Sequence, residues 1–217
     1  MKTIAATPRT TLVRRPERGT YDRAAVNAIL DEALICHVGF ALDGQPYVLP
    51  TTHVRVDEQL YIHGSVGSRM LRSLRRGVPV CVTVTLLDGL VLARSAFHHS
   101  MNYRSVVILG TAQEVVEETE KRRAFAALVD HVVAGRSGEI RPPSDLELQA
   151  TAVLRVPIVE ASAKVRTGPP LDEESDYALP HWAGVIPLRL QPLRPVADPR
   201  LPADRAVPET VVRYGRP

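Results

Sequence analysis

Residues 98–110, HHSMNYRSVVILG, constrain the fold of this chain more than any other stretch. A polar run from His98 to Arg104 leads into the apolar, β-branched segment Val106–Leu109, which Gly110 halts. Polar residues at the mouth of a buried strand are a common way for a barrel to present a ligand site, because the strand supplies rigidity and the lip supplies hydrogen bonds. The strand signal recurs. Ile35–Leu42 ends in the hairpin dipeptide Asp43-Gly44, Tyr47–Val56 follows, and Leu60–His63 comes after Asp57-Glu58. Val78–Leu86, Tyr103–Val116, Val153–Val159 and Ala161–Val165 read as further strands. Helices interrupt them. Asp22 is an N-cap ahead of Ala25, Ile29, Leu30 and Leu34, and Ser68–Arg76 sets Met70, Leu71 and Leu74 against arginines. Glu117–Ala134 carries Phe125, Leu128, Val129, Val132 and Val133 at helical spacing. Antiparallel strands broken by a few helices predict a small β-barrel with helical additions.

The charge balance narrows the partners. The chain has 27 basic and 24 acidic residues, a net charge of +3, mixed along the sequence with no long basic block. With aromatics at 5%, a base-stacking surface is not expected, and nucleic acid is excluded as a partner. Cys36 and Cys81 stand among apolar neighbours, outside any CxxC or Cys/His cluster, and read as reduced core thiols. No stretch approaches the roughly 18 apolar residues of a membrane span, and the amino terminus lacks a signal-peptide core. A soluble, cytoplasmic protein without membrane contact is expected.

The segment His63-Gly64-Ser65-Val66-Gly67-Ser68-Arg69 ends a strand, frees the backbone at two glycines and places Ser-Arg at a helix start. Such a loop suits a phosphate, through backbone N–H groups and a bidentate arginine. It is neither a Walker loop nor a Rossmann fingerprint, and an ordinary strand-to-helix connection would look the same. His98 and His99 are adjacent, which on a strand sends them to opposite faces. They have no metal-ligand spacing, so no metal site is expected.

In this order the chain resembles the pyridoxamine 5'-phosphate oxidase-like FMN-binding split barrels, most closely the flavin-nucleotide-binding branch that includes the nitroimidazole-resistance proteins. The residues carrying the resemblance are Arg18–Asp22, Ile29–Ala33, Tyr61–Ser65, the NYRSVVILG strand, Lys164–Pro170 and Trp182–Val185. The resemblance implies a mainly β (α+β) fold, a six-stranded antiparallel split β-barrel with flanking helices. The domain plan is an N-terminal arm over 1–20, an FMN-binding barrel over 21–167 and a Pro-rich C-terminal wrap over 168–217. More than half of the 18 prolines lie at 169 or later, so the tail is expected to wrap over a surface rather than form a central strand.

By position, the resemblance puts an FMN phosphate on Ser68 and Arg69, with His63 and Gly64 beside the ribityl chain. The backbone of Leu49, Pro50, Thr51 and Thr52 would follow the isoalloxazine edge, and Ser105 holds a flavin-reaching strand position. The family's oxidases carry Lys after the loop arginine, where this chain has Met70. Their basic substrate residues are not evident here either, so that specific activity is not expected. Lys164 and Arg166 share one strand face and, with Trp182, form either a lid over the flavin of the other subunit or a solvated edge with a packing anchor. The expected protein is a homodimer binding FMN at the subunit interface. It would reduce a small organic molecule with NAD(P)H, and His63 would be the catalytic side chain. The alternative is a non-enzymatic flavin or haem binding or storage protein of the same fold, with His63, His98 or His99 as axial ligand.

Overall fold

The computed structural model describes residues 2–202 and 204–215; Met1, Ala203, Arg216 and Pro217 lie outside that description. In chain order the elements are β1 (Gly19–Thr20), α1 (Arg23–Glu32), β2 (Ile35–Leu42), β3 (Gln45–Val56), β4 (Gln59–Ser65), α2 (Arg69–Leu74) and β5 (Pro79–Leu92). They continue with β6 (Ser100–Thr111), β7 (Gln113–Glu114), α3 (Glu118–Val132), α4 (Asp145–Ala150) and β8 (Thr151–Pro157). The last are β9 (Ala161–Arg166), β10 (Gly184–Pro187) and α5 (Glu209–Val212).

All strand pairings are antiparallel, in the order β1-β9-β6-β5-β2-β3-β4-β8-β7 with β10 on β5. The sheet coils without closing, as a split barrel does. Six strands were expected and the described residues form ten: seven longer ones, and the short β1, β7 and β10 that pair with them. The Asp43-Gly44 signal was read correctly: both residues have positive φ, 51° and 76°, and Leu42 pairs with Gln45 across a two-residue turn.

Strict alternation along β2 sends Cys36, Val38 and Phe40 inward and Ile35 and His37 outward. The inner residues join Val80, Val82 and Val84 of β5, Val106 and Ile108 of β6, and Leu154 and Val156 of β8 in the main core. Helix α1 seals this core with Val26, Ile29 and Leu30, started by Asp22, whose carboxylate accepts from the Ala25 N–H at 3.3 Å. A second, smaller core lies on the outer face of β3, β4 and β8, where Ala124 and Leu128 of α3 cover Val54, Tyr61 and Val153. The amino-terminal arm enters the main core through Ile4, whose N–H donates to the Tyr21 carbonyl.

Several boundaries move. β5 runs on to Leu92 through a register shift between Leu87 and Gly89, where Asp88-Gly89 reads as a break in sequence. β6 begins at Ser100, so the polar lip is itself strand. His98 belongs to a 3₁₀ turn over Ala96–His98 and His99 caps it, so the opposite-face argument for the pair does not apply. Cys81 also departs from expectation: it points to the outer sheet face, half-buried, while Cys36 is buried and its thiol pushed up to about 12 by desolvation.

Candidate functional site

β3 is where the barrel splits. Residues 45–52 pair with β2 along their whole length, but the β3–β4 ladder covers only His53–Val56. Among the described residues no strand takes the other side of 45–52, which leaves backbone N–H and C=O groups available to a ligand. Pro46 and Pro50 fit such an edge, since neither can donate to a ladder.

The loop after β4 comes to this edge. Ser65 Oγ accepts the Gly67 N–H at 3.1 Å, and Ser68 caps α2 through its hydroxyl. Arg69 then lies with its guanidinium 4.6 Å from the centre of the Tyr47 ring, which stacks on Phe40. No carboxylate pairs with Arg69 among the described residues. Its charge is therefore seated by an aromatic face and left for an anion. Met70 turns inward and is buried in the core, so the position where the oxidases carry Lys is not presented to solvent in this chain.

Of the expected residues, Arg69 reaches the open strand that carries Leu49, Pro50, Thr51 and Thr52 through its contact with Tyr47, and Ser68 precedes it as the cap of α2. Gly64 serves their approach: a Cβ there would lie 3.0 Å from Leu71 Cδ1, so glycine lets β4 and α2 close up. His63 goes elsewhere. Alternation along β4 turns Leu60 and Ile62 to the main core, and Tyr61 and His63 to the face under α3. There the imidazole meets the Phe125 ring edge-on at 5.8 Å, and its Nδ1 is buried with no hydrogen-bond partner among the described residues. Burial lowers the His63 pKa, so the ring is neutral at neutral pH. Phe125 also lines a cleft of about 510 Å³ with Ala126, Val129, Ile140 and Pro142. Neither Tyr47 beneath Arg69 nor Phe125 beside His63 was legible as a site residue, because both contacts join segments far apart in sequence.

Ser105, Lys164 and Arg166 lie together on β6 and β9 at the other side of the sheet, while Trp182 lies apart from them, just before β10 on the end of β5. Ser105 Oγ donates to the Lys164 carbonyl at 3.2 Å, and Lys164 Nζ donates to the Arg14 carbonyl at 3.3 Å. Arg166 is buried, donating to Asn102 and to the carbonyls of Gly168 and Pro169, so it pins the turn into the tail. Trp182 is exposed and rests on Gly184. β9 is four strands from β3, roughly 19 Å at about 4.8 Å per strand. One chain does not unite the two groups.

The other histidines are engaged or exposed. His53 and His131 bond the Leu30 and Ala33 carbonyls at the end of α1, at 3.0 and 2.8 Å. His99 Nδ1 lies 2.9 Å from the Ser95 carbonyl and His98 lies 3.5 Å from Glu173, while His37 and His181 are exposed. Among the described residues no group of three His, Cys, Asp or Glu could hold a metal ion, and no helix is long and apolar enough to cross a membrane.

Comparison with known proteins gives the following. A family model described as pyridoxamine 5'-phosphate oxidase matches residues 22–165. No curated protein matches the chain. Among solved structures, the chain is similar to the flavocytochrome Anf3 from Azotobacter vinelandii, with 43% identity, a TM-score of 0.92, and coverage of 97% of this chain and 98% of that one. It is similar to a FAD and haem binding protein from Mycobacterium smegmatis, at 37% identity and TM-score 0.87, covering 90% of this chain and 96% of that one. A putative 5-nitroimidazole antibiotic resistance protein from Bacteroides thetaiotaomicron is similar at 26% identity and TM-score 0.58, over 68% of this chain and 86% of that one.

Proposed function

The chain belongs to the pyridoxamine 5'-phosphate oxidase family, and from that premise we propose that it is a flavin-binding redox protein with its flavin nucleotide along the open edge of β3. The observation that carries this reading is Arg69, a cation with an aromatic seat and no carboxylate, beside the unpaired edge of β3. Arg69 holds the phosphate, and the backbone of Leu49, Thr51 and Thr52 meets the polar edge of the ring, with Pro50 contributing only a carbonyl. When bound, the flavin supplies hydride and single-electron transfer. The electron donor would be a nicotinamide and the acceptor a small organic molecule. The absorption spectrum of the purified protein and mass spectrometry of its released ligand test the reading. A colourless protein that takes up neither FMN nor FAD would overturn it.

A second cofactor has its own support. The two relatives at 43% and 37% identity are named as a flavocytochrome and as a FAD and haem binding protein. In this chain His63 combines a buried, unpartnered Nδ1 with a neutral ring, and a neutral imidazole is the form that ligates iron. It is correspondingly a poor standing acid at neutral pH. We propose that His63 would hold the haem iron, rather than act as the proton donor expected from sequence, and set aside His98 and His99. His63→Ala should lose the Soret band and keep the flavin bands. A Soret band that survives places the ligand elsewhere.

The cytoplasmic homodimer is part of the same proposal. Every second residue of β2, β3, β5 and β6 points to one outer face, including Ile35, Val48, Thr85, Leu87, Met101 and Val107. Positions 35–39, 48–52, 81–87 and 101–109 that face this way hold no Asp, Glu, Lys or Arg, in a chain that is 24% charged. Val48 is 65% exposed there. A charge-free, partly apolar sheet face is the composition of an interface centre. A two-fold pairing across it would carry Ser105, Lys164 and Trp182 of one copy toward the β3 edge of the other.

A further inference from the structure

Helix α2 buries Met70, Leu71 and Leu74 in the main core and turns Arg69, Arg72, Arg75 and Arg76 outward, all four exposed. Between Glu58 and Asp88 the chain has no acidic residue, and these arginines are the only Arg or Lys of that stretch. At about 100° per residue, positions 69, 72 and 76 fall within about 60° of one another around the helix axis. Arg75 points away from that line and is engaged by Glu114 at 2.8 Å. Arg76 Nε donates to the Arg72 carbonyl at 3.3 Å, which folds its side chain back along the helix beside Arg72.

Like Arg69, neither Arg72 nor Arg76 pairs with a carboxylate among the described residues. Residues four apart on a helix are neighbours, with roughly 6 Å between their Cβ atoms. Two guanidiniums so placed can both donate, each through two N–H groups, to one doubly charged oxyanion.

The identity of that anion follows from its place. Arg69 begins the file and holds the flavin phosphate in the reading above. Arg76 lies seven residues on, about 10.5 Å along the axis at 1.5 Å per residue, too far to share that phosphate. The second phosphate of a flavin dinucleotide shares an oxygen with the first and stays beside it, so it leaves Arg76 unfilled. The second anion therefore belongs to the other molecule that comes to the flavin, the electron donor. A nicotinamide laid on the flavin ring beside β3 trails its adenylate end outward past Arg69. An arginine near the adenosine ribose is the usual partner of a 2'-phosphate, and that phosphate is what separates NADPH from NADH. We propose that Arg72 and Arg76 bind the 2'-phosphate of NADPH, so that this chain takes NADPH in preference to NADH. The inference rests on the nicotinamide-donor reading proposed above.

The first test needs no turnover. In calorimetric titrations of the purified holoprotein at low salt, 2',5'-ADP should bind at least tenfold more tightly than 5'-AMP. The full chain carrying Arg72→Ala and Arg76→Ala together should lose that preference and keep its flavin, because Arg69 is untouched. Circular dichroism should not change, since both side chains are exposed. Equal affinity of the wild type for the two nucleotides, or a double variant that keeps the preference, overturns the site. The second test is anaerobic reduction of the bound flavin, where kcat/KM for NADPH should exceed that for NADH at least tenfold and the ratio should fall to near one in the double variant. Reduction by both donors at equal rates overturns the phosphate site and leaves the donor reading standing. Selective binding of 2',5'-ADP with a flavin that neither nicotinamide reduces supports the phosphate site and overturns the donor reading.

Discussion

A guanidinium resting on an aromatic ring keeps its charge for whatever anion arrives, and that is the state of Arg69 over Tyr47. Arg69→Ala should weaken binding of FMN by about 1.5–3 kcal/mol, the range for a hydrogen bond to a charged group. Riboflavin, which has no phosphate, should bind variant and wild type alike in the same calorimetric titration, and an equal loss for both ligands would take Arg69 off the phosphate. His63 gives a pH signature. Burial holds its folded pKa below the ordinary 6.5, so the unfolded chain takes up the proton first. Its contribution is therefore complete above about pH 6.5 and lost as pH falls from there through the folded value. Urea unfolding of wild type and His63→Phe at pH 8, 6.5 and 5 should show the variant losing less stability over the lower interval. Parallel curves would mean that His63 titrates alike in both states. The sequence singled out both residues. It did not give the face each one takes, because that depends on Tyr47 lying under Arg69 and α3 lying over β4.

Elements were legible where a local rule fixes them and obscure where a partner does. Asp22 and Asp43-Gly44 act within a few residues, and both behave as they read. Pro46 and Pro50 are an edge-strand signal that the sequence reading did not use, and only the short ladder to β4 shows which side is open. α4 was missed because its six residues bury only Leu148 and show no periodicity. Its signal was the capping box at Ser144 and Glu147, whose carboxylate accepts from the Ser144 N–H at 2.8 Å and from Arg141. Those bonds bring the Glu147 pKa down to about 2. Ser144→Ala should lower the unfolding free energy by about 1 kcal/mol, the usual loss for an N-cap, measured by urea titration at pH 7. The Glu147 contribution should be whole above about pH 4.5 and fade as pH falls toward 2.

At the scale of the molecule, the resemblance predicted the split barrel, and the family match over residues 22–165 agrees with it. Ser105 on β6 lies three strands from the open edge with Arg69 and Lys164 on β9 lies four, so in the proposed dimer a ligand touching both groups would span two subunits. Strand alternation alone did not reveal the uncharged face, because six of its fifteen residues are Thr, Ser, Gly or Cys and look polar until the register aligns them with Ile35, Val48 and Met101. A charge placed in the centre of that face must be desolvated if the copies are to meet, at a cost of several kcal/mol. Val48→Arg should therefore give a folded monomer by light scattering at micromolar concentration. Flavin affinity should fall with the dimer, although position 48 is not a phosphate contact, and raising the protein concentration should restore both together. A monomeric Val48→Arg that still binds flavin as tightly as wild type would show that the open edge of β3 and Arg69 suffice, and that the site belongs to one chain.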